Sequence, residues 1–265
     1  MIKTFETAEP ISVDVRISAG TLRVDATETA ETEVEIEAND DVAAEQMEFV
    51  RVDLRGTTLS VELPEKRGFF GRNPSFDVRI RCPQGSRLAV RSRSADVESR
   101  GELASADVKS ASGDVELQHV EREASVQTAS GDVEIERAGE VSVATASGDV
   151  EIGHCLGRLK ANLVSGDFTV RAADGAVESH TVSGDQRLES VGFGTVAANS
   201  VSGDVLVRVR RGATVWLDVR SISGDTESEL DVGDGPPSDS DQVMELRINT
   251  VSGDVRIERA TADAA

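Results

Sequence analysis

Apolar and polar residues alternate with a period of two along most of the chain, which places successive side chains on opposite faces of a strand. Ile11-Ser12-Val13-Asp14-Val15-Arg16-Ile17 alternates for seven residues, and Val34-Glu35-Ile36, Phe49 to Leu54, Leu59 to Leu63 and Phe76 to Ile80 follow the same rule. Each predicts a half-buried strand. Asp41 to Met47 is the one stretch that reads as a helical turn or two.

Further along, the alternation is organised by a repeat. Ser-Gly-Asp begins at Ser112, Ser130, Ser147, Ser165, Ser183, Ser202, Ser223 and Ser252, with a weaker copy at Ser94-Ala95-Asp96-Val97. The serines are separated by 18, 18, 17, 18, 18, 19, 21 and 29 residues. Self-similarity near a fixed period marks a stacked array, in which each unit buries its apolar face only against its neighbours. Aligned on the serines, Val115/Leu117, Val133/Ile135, Val150/Ile152, Phe168/Val170, Val205/Val207 and Val255/Ile257 form one alternating strand per repeat. Val141/Val143, Leu159/Ala161, Val196/Ala198 and Leu246/Ile248 form a second. Two places before the serine runs a hydroxyl column of Thr128, Thr145, Thr181, Ser200, Ser221 and Thr250. The residue just before the serine is apolar (Ala129, Val164, Val182, Val201, Val251), which breaks strict alternation and predicts a corner.

The expected fold is all-β, a parallel β-solenoid (β-helix) of about 18-residue rungs on an N-terminal β-rich cap. The cap covers residues 1–90 and is continuous with the array, the repeats cover 91–259, and 260–265 is a tail. Ser18-Ala19-Gly20-Thr21 resembles a decayed Ser-Gly-Asp turn, so the coil can begin there. Residues 226–245 contain a loop insertion, turn-rich and acidic from Val232 to Asp241. Sequence order puts the final strand, Val255 to Glu258, at an open edge suited to end-to-end homo-oligomers.

Composition narrows the function more than the fold. Of 265 residues, 38% are hydrophobic but only 3% aromatic, with no tyrosine and one tryptophan, Trp216. The formal charge of -21 argues against nucleic acid and anionic membrane surfaces as partners, since both need clustered Lys and Arg. No stretch approaches the ~18 apolar residues of a membrane span. Cys82 and Cys155 lack CxxC spacing, and no apolar segment follows Met1-Ile2-Lys3, so a reduced, cytoplasmic setting is expected.

With its alternating N-terminal strands and Ser-Gly-Asp-Val rungs down to Val251-Ser252-Gly253-Asp254-Val255-Arg256-Ile257, the chain resembles the bacterial β-strand-repeat family called "putative adhesin", a domain of unknown function. The resemblance implies a β-solenoid and a surface or envelope role, and it carries over no catalytic residues.

Several candidate sites follow. The carboxylates of Asp96, Asp114, Asp132, Asp149, Asp167, Asp185, Asp204, Asp225 and Asp254 form a column if the repeats stack in register. Neighbours near 5 Å apart repel by about 0.9 kcal/mol in water, so something must relieve them. Either each Asp accepts N–H bonds within its own turn, or calcium binds, with Asp114, Asp132, Asp149, Asp167 and Asp185 as candidate ligands. His119, His154 and His180 are too dispersed for one metal, and Cys155 beside His154 reads as a buried structural thiol. Arg208, Arg210, Arg211 and Arg220 near Trp216 are the nearest approach to a solenoid enzyme acting on carbohydrate. The loop Pro64 to Pro74 is basic in an acidic chain, and its Arg67, Phe69, Phe70 and Arg72 fit either an end plug or a partner contact. The reading is a non-catalytic binding or scaffold protein without cofactor, its partner a protein or glycan.

Overall fold

The computed structural model describes residues 1–65, 73–212, 214–230 and 243–260. Among these the chain is all-β apart from one short α-helix and a 3-10 turn, with twenty strands, and it divides into two compact units, Met1–Val133 and Glu134–Ala265.

The first unit comprises β1 (Ile2–Glu6), β2 (Ser12–Thr27), β3 (Glu31–Ala38), helix α1 (Asp41–Gln46), β4 (Arg51–Arg55), β5 (Thr58–Glu62), β6 (Ser75–Pro83), β7 (Arg87–Ser110) and β8 (Val115–Ser130). Its organising strand is β2. The first half runs parallel to β5 and β7, with Val13 opposite Leu59 and Leu88. The second half runs parallel to β6 and β7, with Leu22 opposite Val78 and Val97. Ala19, Gly20 and Thr21 lie opposite Ser94, Ala95 and Asp96, so the decayed turn holds the register of the first repeat copy. The unit ends in antiparallel strands: β1 on β3, β3 on β6, and β4 on β5. Helix α1 starts where Asp40 accepts the Ala43 N–H at 2.7 Å, a side-chain N-cap.

The second unit carries β9 (Val133–Ser147), β10 (Val150–Cys155), β11 (Leu159–Ser165), β12 (Phe168–Ala173), β13 (Val177–Ser183), β14 (Gln186–Val191), β15 (Gly194–Ser202), β16 (Val205–Val209), β17 (Thr214–Ser223), β18 (Thr226–Ser228), β19 (Val243–Ser252) and β20 (Val255–Arg259). Two parallel ladders result. One runs β9, β11, β13, β15, with Val141 opposite Leu159, Leu159 opposite Val177, and Val177 opposite Val196. The other runs β10, β12, β14, β16, through Ile152, Val170, Leu188 and Val207. These side chains are buried, as are Phe168 and Ile257, and each contributes roughly 2 kcal/mol of apolar burial.

At the top of both ladders, spatial order departs from sequence order. β15 pairs with β19, not β17, and β17 pairs with the far side of β19. Likewise β16 pairs with β20, and β18 with the far side of β20. The repeat that comes last in sequence is therefore inserted beneath the one before it. Its corner is bonded on both sides: Gly203 N–H donates to Ser252 O, and Gly253 N–H donates to Ser223 O, both at 3.1 Å. The expectation that Val255 to Glu258 forms an open edge is corrected, and composition gives the reason. Val255 and Ile257 are fully buried and need neighbours on both sides. The outer repeat has the exposed Thr226 and Ser228 in those columns, polar groups that lose little at an end.

Candidate functional site

The Ser-Gly-Asp corner is built by its glycine. Gly184 has φ +135°, and a Cβ there would lie 2.1 Å from the carbonyl oxygen of Gly166; Gly253, at φ +145°, would meet Gly203 O at the same distance. Both the backbone conformation and the stacking distance require the missing side chain. The aspartates find relief between repeats, in place of the expected bonds within their own turn. The Asp114 N–H donates to Asp96 Oδ1 at 3.1 Å and the Asp132 N–H to Asp114 Oδ1 at 2.9 Å. In the second unit Asp167, Asp185, Asp204, Asp254 and Asp225 donate in turn to Asp149, Asp167, Asp185, Asp204 and Asp254, at 2.8 to 3.0 Å. Each bond sets an N–H dipole against a carboxylate, offsetting the column repulsion. Arg187 adds a cation against Asp167 and Asp185, at 3.4 and 2.9 Å. One oxygen of each of these acceptors thus serves the backbone, and among the described residues no three His, Cys, Asp or Glu side chains gather as a metal site.

The hydroxyl column points inward. Thr128 Oγ1 donates to Ser130 O at 2.8 Å and Thr145 Oγ1 to Ser147 O at 3.0 Å, tying the strand end to its own corner. The following residue then points out. Val164, Val182, Val201, Val251 and Ile222 are 51%, 48%, 48%, 45% and 81% exposed. Their neighbouring serines pair as 165 with 183, 183 with 202, 202 with 252, and 252 with 223, so the five form one unbroken apolar ridge. At strand spacing the ridge is about 19 Å long. The broken alternation before each serine was its signal in the sequence.

Among the described residues the other predicted positions do not converge. Arg67, Phe69, Phe70, Arg72 and the insertion from Val232 to Asp241 lie outside the described residues. Trp216 and Arg220 stand on β17, whereas Arg208 stands on β16, bonded to Glu189 at 2.6 Å and Glu258 at 2.9 Å. Arg210 reaches past Gly192, which has no side chain in the way, to Asp174 at 2.5 Å, and its Nε donates to Ser190 at 2.8 Å. His154 Nε2 meets the other oxygen of Asp174 at 2.8 Å. Partial burial pushes the Asp174 carboxyl up, but bonds to Arg210 and His154 outweigh it and hold the group below its usual range. Cys155 takes no part: burial pushes its thiol up to about 11, against partial relief from the Gly157 backbone. Cys82 is likewise pushed up to about 11 by burial.

Two features escape the sequence reading. Gln186 fills a core column that holds Val or Phe in the other repeats apart from Thr226 in the outermost, and it is fully buried. It is satisfied by Ser179 at 2.5 Å, Thr181 at 2.8 Å and the Asn199 carbonyl at 2.9 Å. The absence of an apolar residue after Asp185 is the signal. In the first unit a concavity of about 160 Å³ is lined by Asp14, Arg16, Glu62, Arg91 and Asp107 among others. It is smaller than the roughly 300–1,000 Å³ of typical ligand pockets, and Arg16 and Glu62 pair across it at 3.4 Å.

Comparison with known proteins accords with this architecture. The family model described as Toastrack DUF4097 matches residues 9–193. A solved structure described as a "putative lipid binding protein" from Parabacteroides distasonis ATCC 8503 aligns with TM-score 0.54 at 14% identity, covering 97% of this chain and 96% of that one. Two described as "putative adhesin", from the same strain and from Bacteroides fragilis NCTC 9343, align with TM-score 0.46 at 12% and 14% identity, each over 97% of this chain and 96% of the other. No curated protein matches the chain in sequence. No helix among the described residues is long and apolar enough to cross a membrane.

Proposed function

The chain belongs to the Toastrack DUF4097 family, and from that membership we propose that it is a parallel β-solenoid serving as a non-catalytic, adhesin-like binding scaffold. The parallel offsets of 18 and 19 residues from strand to strand support the coil. The observation that carries the binding role is the exposed ridge of Val164, Val182, Val201, Val251 and Ile222. Contiguous exposed apolar surface marks contact sites, and a flat aliphatic strip fits a protein partner better than a glycan, which favours aromatic platforms. A non-catalytic role is supported by the tying of Asp174 to Arg210 and by the high thiol pKa of about 11 beside His154. The unpaired, buried Cys82 and Cys155 favour a reducing, cytoplasmic setting.

The test is a quantitative pull-down from native cells with wild type and a Val164→Ser/Val182→Ser/Val201→Ser variant. These side chains are outward, so the melting midpoint should stay close to wild type. A partner held by wild type and lost by the variant supports the reading. Equal capture by both removes it.

A further inference from the structure

We propose that the outer edge of β17 pairs antiparallel with β17 of a second copy, about a two-fold axis at Val219. Among the described residues β17 pairs on one side only, with β19, and the other row of backbone donors and acceptors faces outward. Such an edge is a template for another strand unless it is guarded. This one is poorly guarded: Trp216 is 45% exposed and Ile222 81% exposed, while the inward-facing Val215, Leu217 and Val219 are only half-buried.

The residues choose the partner and the register. Set Val219 opposite its own copy, and Asp218 faces Arg220 of the other chain while Arg220 faces Asp218. Trp216 then faces Ile222, and Ile222 faces Trp216. Directly opposed side chains in an antiparallel pair lie on the same face, so all four contacts fall on the outer surface. A slip by one step of the two-residue period puts Asp218 opposite Asp218, or Arg220 opposite Arg220, and both are repulsive. Within one chain Arg220 Nε already lies 3.2 Å from Asp218 Oδ1, so pairing two copies joins four alternating charges. A C2 contact of this kind is self-complementary and closed. The edge is separate from the corner ridge except at Ile222, so the inference stands if the ridge reading fails.

Sedimentation equilibrium of the full chain, at micromolar to several hundred micromolar, is the primary test. Wild type should form dimers of the 28.1 kDa chain. Asp218→Arg and Arg220→Asp should each weaken dimerisation by about tenfold or more, because each sets like charges face to face. An equimolar mixture of the two variants should dimerise again, since every charge then meets its opposite across the interface. Repair of an ion pair inside one chain gives no such rescue. Trp216 is the only tryptophan, so its emission should shift blue as wild type dimerises and as the mixture forms. A wild type that stays monomeric throughout, or two variants that dimerise as well as wild type, or a mixture without rescue, overturns the proposal.

Discussion

Two strand edges in this chain carry similar residues in opposite arrangements. β4 reads Arg51-Val52-Asp53-Leu54-Arg55 and β17 reads Trp216-Leu217-Asp218-Val219-Arg220-Ser221-Ile222 at its centre. Among the described residues each pairs on one side only. Centred on itself in antiparallel fashion, β4 sets Arg51 against Arg55 and Asp53 against Asp53, so it repels its copy. β17, centred on Val219, sets Asp218 against Arg220 and matches its copy. In addition, Lys3 of β1 places its Nζ 2.8 Å from the Val52 carbonyl, covering β4 with a charge of the kind that blunts sheet edges. The number of charges on an edge matters less than whether their order is symmetric under the rotation that joins two copies.

Four measurements put these edges, and the stacking that holds them, to the test. The largest effect is expected where β19 and β20 are seated beneath the outer repeat. Gly253→Ala forces a Cβ to 2.1 Å from the Gly203 backbone oxygen at positive φ, and should lower unfolding free energy by about 3 kcal/mol or more. Gly56→Ala, in the β4–β5 hairpin, has positive φ but nothing within 4 Å, and should cost only about 1 kcal/mol. Urea denaturation compares the two, and equal costs would mean that stacking distance is not limiting. Next, Asp254→Ala deletes the acceptor for the Asp225 N–H and should cost about 1 kcal/mol, with Asp254→Asn milder because it keeps a carbonyl oxygen. Hydrogen exchange at the Asp225 amide reads this directly; an unchanged rate would contradict the inter-repeat ladder.

Smaller still, Lys3→Ala should cost about 1 kcal/mol or less, and it should promote weak association through the uncovered β4 edge. A variant that associates no more than its parent would show that the like charges guard β4 unaided. The smallest effect concerns Asp174. Its folded pKa lies below the ordinary 3.8, so its stabilising contribution is full above that value and is lost as pH falls through the folded pKa. With the side chain 36% exposed, Asp174→Asn should cost less than about 0.5 kcal/mol near neutral pH, a difference that vanishes in strong acid. Melts between pH 2 and 7 check the sign; a difference that grows on acidification would reverse it.

Much of this was legible in the residues. Periodicity gave the strands, the serine spacing gave the parallel offsets, and even Gly20 proved to hold the register of Ala95. The corner was legible as a break in alternation, though not that Thr128 turns in while Val164 turns out. The aspartate ladder was not, because a bond from one repeat to the next depends on stacking geometry that no single repeat contains. The order of the last two repeats was hidden for a similar reason. Sequence order is the natural guide to a stack, and only Thr226 and Ser228, polar in apolar columns, hinted that their repeat belonged outermost.

That inserted repeat bears on how the chain folds. An array that grows only by adding at its end has local contacts throughout, and each repeat can settle as soon as it is made. Here β17 and β18 leave the ribosome before the strands that separate them from β15 and β16. They must wait, or first dock on β15 and β16 in the berth that β19 and β20 later claim, since both carry the same Ser-Gly-Asp corner. Refolding should therefore show a slow phase of strand exchange, absent from a variant whose outer repeat is deleted, in which the last arrival adds directly to the growing end.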